Sequence, residues 1–322
     1  MYPLVNPHVT GLSQQTSDDF DEQAAFLKGW NQHYNQISSG AFKGSIAEAN
    51  IDDISLFWEF TSQSLFQQGL LGTENIALGI PLSKVDGGMF CGSPCHQFAL
   101  HVYSDKNGFE FISPNNLLIG LIVINRHRLM QLLSAEDQYF LNLQTNQARV
   151  VPISQATYLK FYRLLQDTFE AIKTQPNLLE NVDFKELLFA QVANVIIESL
   201  LTKTPTQHEI FVQKSWQLVT NVRNIVVERM DEPINVAQLC QLLEISRRSL
   251  QQHFTSALDI SPNAYLRALR LNQVRRALRN APSVTDAATH WGFWHFGHFS
   301  HEYKKMFGEL PSETFKRHHK HN

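Results

Sequence analysis

Residues 292–308 read GFWHFGHFSHEYKKMFG and place three histidines and two lysines among a run of aromatic residues. Neutral imidazole nitrogens can ligate zinc. Imidazole and ammonium groups can also donate hydrogen bonds to DNA bases and phosphates. Aromatic side chains, in contrast, are the usual material of a core. The segment is therefore a metal site, a small aromatic core or a surface that touches a partner.

A helix over 295–307 separates these side chains by type. Successive residues of an α-helix turn by about 100°, which puts the apolar set on one arc: Phe296, Phe299, Tyr303, Met306 and Phe307. The opposite arc carries the polar set: His298, His301 and Lys305, with His295 at its edge and Lys304 beside it. We expect the first arc to face a core and the second to be exposed, as a surface that can lie in a DNA major groove.

Metal binding is the weaker interpretation of the histidines. They follow one another at intervals of three residues, and an i, i+3 pair can bind zinc. The neighbouring residues do not, however, complete the four-ligand set that a structural zinc site requires. We therefore predict neither a metal nor another cofactor. An inert, solvated face remains the alternative to a DNA-binding one.

Two segments of the chain share one plan. Residues 235–258, NVAQLCQLLEISRRSLQQHFTSAL, and 283–307, SVTDAATHWGFWHFGHFSHEYKKMF, each predict a short helix, a tight connection and a second helix. This arrangement is a helix-turn-helix. The predicted N-caps are Asn235, Ser246 and Ser283. The predicted cores are Val236, Leu239, Leu242, Ile245, Leu250 and Phe254 in the first motif, and Val284, Ala287, Ala288, Phe293, Phe299 and Phe307 in the second.

The second helix of the first motif also has a polar outer face. Arginine pairs well with guanine and glutamine with adenine. Such a face is common on any protein, but its occurrence in matching positions of two motifs favours DNA reading. The predicted DNA-binding residues are Arg248, Gln251, Gln252 and Thr255 in the first motif, and His295, Phe296, His298, His301, Lys304 and Lys305 in the second.

These motifs resemble the AraC/XylS family of transcription regulators over about 210–317. SRRSLQQHFTSALDISPNAYLRALRLNQVRRAL is similar to S-x-R-x-L-x-R-x-F-x4-G-x-S-P-x-x-Y-L-x-x-x-R-L, and GFWHFGHFSHEYKKMFGELPS to G-F-x5-F-x3-F-x3-F-G-x-x-P. The shared residues are Ser246, Arg248, Leu250, Phe254, Ser261, Pro262, Tyr265, Leu266, Arg270, Leu271, Gly292, Phe293, Phe299, Phe307, Gly308 and Pro311. The departures are Gln252 for Arg, Asp259 for Gly, Tyr303 for Phe and His301 for Arg. Gln252 and His301 remove positive charge from the predicted reading faces, which implies lower nonspecific affinity and a different base preference.

The resemblance implies that a long helix, Pro262–Arg279, joins the two motifs and holds their reading helices near one DNA turn apart, ~34 Å. It implies double-stranded DNA as the ligand, RNA polymerase as a partner and an activator role. Five basic side chains are expected to contact phosphate, each with a solvated surface charge as the alternative: Arg267, Arg275, Arg276, Arg279 and Lys316.

The N-terminal part reads as β-rich. Between about 41 and 125, apolar runs such as ENIALGIPL and NLLIGLIVI alternate with turns such as KVDGG, which is typical of a sandwich or barrel. Residues 154–202 then take helical periodicity, broken at Pro176 and Asn177. This predicts a helical hairpin that either packs on the β domain or forms a homodimer interface.

The predicted fold class is α+β. The resemblance implies that residues 1–205 form a cupin-like effector-sensing and dimerisation domain. A polar linker at 202–207 is expected to lead into residues 208–322, an all-α DNA-binding domain with two helix-turn-helix motifs.

The effector is open at this level. Trp58, Phe60, Phe66 and Phe90 line an apolar ligand pocket or belong to the core. GFWHFGHFS, together with EANIDDISLFWEFTSQSLFQQGLL, resembles regulators of ethanolamine or amine catabolism, and this resemblance implies an amine. CGSPCH at 91–96, with Cys91, Cys95 and His96, is either a redox or metal switch or a turn with small buried thiols. His96 and His101 have an unhelpful spacing for a cupin metal site, so no enzyme is predicted.

Charge and composition set limits on partners and location. Residues 1–205 carry 12 Lys and Arg against 20 Asp and Glu, a net charge of −8, whereas residues 206–322 carry 15 against 10, a net charge of +5. The second part is therefore expected to meet a polyanion. Three cysteines and no visible leader predict the reducing cytoplasm. The apolar run Leu117–Ile124 is far shorter than the ~20 residues that span a bilayer.

The sequence thus predicts a DNA-binding transcription activator controlled by a small molecule in its N-terminal domain. One alternative is a regulator controlled by a protein partner or by oligomerisation, without a small ligand. Another is a cupin-type enzyme fused to a DNA-binding module.

Overall fold

Strands and long helices occupy different parts of the chain. The computed structural model describes residues 12–104, 106–201, 210–229 and 234–319. Every described strand ends by Pro152, and the longest helices follow it, so the predicted α+β class is confirmed. Contacts between residues divide the chain into two compact units. The first is drawn from residues 1–34, 43–62 and 67–207, and the second from 35–42, 63–66 and 208–322.

Twelve strands are formed in the described residues, with the bounds β1 Leu12–Ser17, β2 His33–Gln36, β3 Gly44–Ile51, β4 Ile54–Thr61, β5 Leu65–Gly69, β6 Asn75–Pro81, β7 Met89–Phe90, β8 Ser93–Pro94, β9 Ala99–Tyr103, β10 Phe109–Ile112, β11 Leu117–Asn125 and β12 Arg149–Pro152. A seven-stranded antiparallel sheet has the order β1-β3-β4-β11-β6-β9-β12. A five-stranded sheet has the order β2-β5-β10-β7-β8. The central strand β11 is buried along nearly its whole length, because both faces of the larger sheet are covered.

One face of the larger sheet packs against the smaller sheet. This layer, called the inner cluster here, joins Phe57 and Tyr103 of the larger sheet to Phe90 and Phe109 of the smaller one. Trp30 stands among them, with its ring 5.1 Å from that of Tyr103. Side chains two residues apart on a strand share a face. Glu59 on β4 and His101 on β9 therefore face the inner cluster too.

The other face of the larger sheet packs against helices. The helices of the first unit are α1 Phe20–Phe26, α2 Arg126–Met130, α3 Ala135–Thr145, α4 Gln155–Thr174 and α5 Val182–Leu201, with a 3₁₀ turn over Pro176–Glu180. Phe161 and Leu165 of α4 and Val192 of α5 share a core with Leu56 and Ile122 of the sheet. The predicted helical hairpin is confirmed, and packing on the sheet accounts for its apolar face. None of the described helices is both long enough and apolar enough to cross a membrane.

The second unit is mainly helical. Its helices are α6 Ile210–Glu228, α7 Val236–Leu242, α8 Arg247–Leu258, α9 Pro262–Ala277, α10 Val284–His290, α11 Phe296–Phe307 and α12 Pro311–His319. The predicted linker at 202–207 lies outside the described residues.

Two short segments from early in the chain belong to this helical unit. Asn272 on α9 is fully buried. Its side chain accepts a hydrogen bond from the Gln36 backbone N–H at 3.0 Å and donates one to the Gln36 carbonyl at 2.9 Å. Gln36 Nε2 donates to the Met306 carbonyl at 2.6 Å. Through Gln36, the segment 35–42 therefore provides hydrogen-bond partners for buried polar groups of α9 and α11.

Candidate nucleic-acid interface

Two helix-turn-helix motifs are present, α7 with α8 and α10 with α11. Asn235, Ser246 and Ser283 each accept a hydrogen bond from a backbone N–H of the helix that follows, so all three predicted N-caps are confirmed. Each cap satisfies a donor that the first helical turn leaves unpaired.

The second helices of the two motifs are equivalent position by position. Each has twelve residues, 247–258 and 296–307. Aligned from the first residue, their buried positions coincide: Leu250, Phe254, Ala257 and Leu258 in α8, and Phe299, Tyr303, Met306 and Phe307 in α11. Both end on a left-handed residue, Asp259 at φ 53° and Gly308 at φ 77°. The motifs are therefore a structural repeat.

The connections between the helices differ by one residue. Residues 243–246 connect α7 to α8, and residues 291–295 connect α10 to α11. Glu244 and Gly292 have positive φ at the second position of each connection. Glu244 is followed by the apolar residue Ile245, and Gly292 by Phe293. Each connection ends at the N-cap of the next helix. The additional residue of the second motif is then Trp294, whose side chain is 69% exposed.

The outer face of α8 is open. The four side chains predicted there are exposed: Arg248, Gln251, Gln252 and Thr255. Gln251 Nε2 donates to Thr255 Oγ1 at 3.2 Å, which orients the amide along the helix. A groove of about 320 Å³ at the start of α8 is lined by Arg247, Arg248 and Gln251. Sequence reasoning missed Arg247, although it lies on the same exposed turn.

The six side chains predicted to bind DNA from the second motif are also exposed: His295, Phe296, His298, His301, Lys304 and Lys305. The expectation that Phe296 also faces a core is wrong, because Phe293 takes that place with its ring 5.1 Å from Phe299. Leu242, expected in the first core, is 44% exposed because α7 ends there.

A carboxylate on α11 connects the second motif to helix α9. Glu302 accepts from Arg267 Nη1 of α9 at 2.6 Å and lies 3.3 Å from His298 Nδ1. The Glu302 side chain is only 14% exposed. The one acidic residue of α11 is therefore paired, and the remaining charged side chains on its outer face are basic.

The five expected phosphate contacts do not share one environment. Arg275 is buried, donates to Glu309 Oε1 at 2.7 Å and lies over the Phe307 ring at 5.0 Å. Its predicted phosphate contact is therefore wrong. Arg276 Nη1 donates to Asn35 Oδ1 at 3.0 Å. Arg267 and Lys316 are exposed and Arg276 and Arg279 are half-buried. These four remain predicted phosphate contacts.

No three His, Cys, Asp or Glu side chains come together in a metal-binding arrangement in the described ranges. The three histidines of the second motif, His295, His298 and His301, are exposed. His298 lies next to the carboxylate of Glu302.

A second polar site lies inside the first unit. Glu59 is 4% exposed and accepts hydrogen bonds from Gln23 Nε2 at 3.0 Å and Tyr34 Oη at 2.8 Å. Burial raises the pKa of Glu59, and these two hydrogen bonds oppose the rise. Sequence reasoning missed this network because its members come from three separate segments.

Cys95 is a small buried thiol, and Cys91 is half-buried beside the same turn. Cys91 and Cys95 are free, and burial raises the pKa of Cys95 to about 12. Both thiols therefore stay protonated and poorly nucleophilic. His96 is exposed.

The four aromatic residues expected in one ligand pocket do not meet. Trp58 faces the helices and lies 5.5 Å from Phe169, whereas Phe90 belongs to the inner cluster. Phe66 packs against Tyr265 in the second unit, with ring centroids 6.4 Å apart. The shared-pocket expectation is wrong, because alternation along β4 turns Trp58 and Phe60 away from the inner cluster.

Comparison with known proteins agrees with this geometry. A protein-family model of a helix-turn-helix domain, HTH_18, matches residues 239–317. The XylDLEGF operon transcriptional activator 1 of Pseudomonas putida is 30% identical over 166 residues, 50% of this chain and 47% of that protein. The chain spans about half the length of the first curated relatives it matches.

Two solved structures are also similar. A probable AraC family transcriptional regulator from Rhodopseudomonas palustris is 34% identical, with 32% of this chain and 97% of that one covered and a TM-score of 0.30. The AraC-like transcriptional activator CuxR is 11% identical, with 82% and 96% covered and a TM-score of 0.45. The C-terminal part of the chain is a helix-turn-helix domain. It is a domain of the AraC type, similar to those of AraC/XylS-family regulators.

Proposed function

We propose that the protein is a sequence-specific DNA-binding transcription regulator that acts as an activator. The observation that carries this proposal is the structural repeat, whose two second helices bury the same positions and leave polar or basic outer faces exposed. Both α8 and α11 pack on α9, a helix of sixteen residues and therefore ~24 Å. This arrangement supports the reading of two successive major-groove segments.

The chemistry of the two faces differs. Arg248 and Gln251 offer the bidentate groups that distinguish guanine and adenine. His298, His301 and Lys304 offer N–H groups and positive charge for base acceptors and phosphates. We infer that α8 supplies more of the base specificity and α11 more of the electrostatic attraction.

Selection of DNA from a random-sequence pool by the full-length protein tests this function. The proposal predicts an enriched site of two parts, with centres about one helical turn apart. Mapping of bound sites across the source genome should then place the same sequence upstream of transcribed genes. Failure to enrich any sequence, under salt conditions at which the protein is folded and monodisperse, would contradict the proposal.

We further propose that a small molecule bound at the inner cluster controls the regulator, and that this molecule is an amine. The buried carboxylate of Glu59, which faces the inner cluster and interacts electrostatically with Tyr103, supports this, since an ammonium group next to a desolvated carboxylate offsets its burial. Thermal unfolding with small primary amines and their neutral analogues is the test. Stabilisation by amines in the parent and its loss in Glu59→Gln are expected. Equal responses to both ligand sets would favour the ligand-independent alternative.

We also propose RNA polymerase as a partner, a cytoplasmic location and no catalytic activity.

We propose a homodimer through residues 154–202. The dimer is supported by two exposed apolar side chains on α5, Val182 at 68% and Leu187 at 60%. Leu187→Glu should convert the dimer to a monomer in sedimentation analysis. A parent protein that is monomeric at all accessible concentrations would contradict the dimer.

A further inference from the structure

The second motif departs from the first at two neighbouring places. In the alignment of α8 with α11, Gly297 stands where α8 carries Arg248. The connection before α11 holds the additional residue Trp294. The second motif therefore has one side chain fewer on the outer face of its helix and one more in its turn.

The fold does not account for a glycine at 297. Gly297 is the second residue of α11, and glycine is less favourable in a helix than alanine. A Cβ built on Gly297 would have no heavy atom of the described residues within 4 Å. Alanine would therefore fit and would favour the helix. Glycine permits the close approach of a backbone to a ligand, and that is the reason left for it.

The surroundings of Gly297 identify the chemistry of such a ligand. Trp294 is 69% exposed and Phe296 43% exposed, and both come shortly before the glycine in the chain. His295 and His298 lie beside them in the chain, Lys304 and Lys305 are exposed in the last turn of the same helix, and the carboxylate of Glu302 is paired with Arg267. A helix face with two exposed aromatic rings, N–H donors and two lysines complements duplex DNA, which offers phosphates together with deoxyribose rings and thymine methyl groups.

We propose that α11 approaches DNA so closely at Gly297 that no side chain fits between the helix and the duplex, while Trp294 and Phe296 pack against deoxyribose and thymine methyl groups beside this contact. The inference rests on the proposed function. It gives the two motifs different modes of reading. The first reads through the long side chain of Arg248, and the second through direct approach of the helix backbone.

Substitutions at Gly297 test the proposal in the full-length protein. The probe is a duplex of about 30 base pairs, long enough for two successive major-groove segments, that the parent has selected from a random pool. Gly297→Ala should raise Tm by about 1–3 °C and weaken binding roughly tenfold, the effect of losing one base-pair contact. Gly297→Arg, which copies the residue of the first motif, should also weaken binding despite its added charge.

Thr285→Ala is the matched control, because Thr285 is exposed on the neighbouring helix α10 and its substitution should leave affinity unchanged. Trp294→Ala should weaken binding severalfold, and Trp294→Phe should retain most of the affinity.

The outcomes separate the possibilities. If Gly297→Ala binds the duplex as tightly as the parent, the close approach is wrong. Tighter binding by Gly297→Arg would also overturn it, because a long side chain would then fit between the helix and the DNA. Parent-like binding by Trp294→Ala would overturn the packing role of Trp294. Reduced transcription with intact DNA binding would assign the surface to a protein partner and overturn the proposal. If the parent selects no duplex at all, the proposed function itself fails.

Discussion

Replacement of His101 by leucine should remove a large part of the acid sensitivity of the first unit. The His101 ring is 1% exposed. It stacks on Phe90 at 4.6 Å and meets Phe111 edge-on at 5.2 Å. Neither of its ring nitrogens has a hydrogen-bond partner among the described residues. Burial lowers the pKa of His101 to about 3, because an imidazolium there would lose its hydration.

The magnitude follows from linkage between protonation and folding. A free histidine has a pKa near 6.5. Between about pH 6.5 and pH 3, the unfolded chain therefore binds a proton that the folded chain does not. The free energy of unfolding is highest above about pH 6.5 and decreases as the pH falls. The loss is about 1.4 kcal/mol for each pH unit, or about 2 kcal/mol at pH 5, and it levels off below about pH 3.

Hydrogen–deuterium exchange of peptides from β9 reports on the first unit separately from the second. Between pH 7.5 and pH 5, the parent should lose about 2 kcal/mol more protection than His101→Leu. At neutral pH the leucine variant should be at least as stable, since it replaces unpartnered polar atoms. His33→Leu is the control, because His33 is exposed and should keep the parent's slope. Identical slopes for parent and His101→Leu would refute the reasoning.

Three further predictions concern the second unit. Arg275→Ala should destabilise it by about 3 kcal/mol, because a buried ion pair loses one partner; unchanged chemical denaturation would contradict this. Asn272→Ala should cost about 1–3 kcal/mol by leaving the Gln36 backbone unpaired, with exchange of the residue 35–42 amides as the measurement. DNA affinity should increase as the pH falls from about 8 to about 6, because DNA phosphates favour the protonated form of the exposed histidines on α11. The double variant His298→Gln, His301→Gln should flatten that response, and an equal response in both proteins would make the histidines an inert face.

The helical half was well predicted because its signals are local. Asn235 and Ser246 start their helices where the N-cap pattern indicated, and α11 begins one residue from the predicted start. Apolar spacing also identified all four buried positions of α11, and in α8 it identified Leu250 and Phe254 but missed Ala257. Phe296 was misplaced because periodicity alone cannot tell which of two nearby aromatic residues begins the core.

The remaining features depend on contacts between distant segments. β1, α1 and β2 were missed because their sequences are short and polar. The pairing of Gln36 with Asn272 joins segments 236 residues apart, and no local pattern reports such a contact. The burial of Arg275 beside Glu309 is equally nonlocal. Arg275 was predicted to contact phosphate because the sequence shows its charge but not its burial.

If the outer faces of α8 and α11 read bases, their side chains must contribute more to binding of a selected sequence than of a random one. The most direct test compares the affinity of the parent, Arg248→Ala and Gln251→Ala for a selected duplex and for a random duplex of equal length at one salt concentration. Gln241→Ala is the control, because Gln241 is exposed on α7 rather than on the reading helix. Each reading-face variant should lose about 1–3 kcal/mol on the selected duplex and much less on the random one. Equal losses on the two duplexes would contradict base reading.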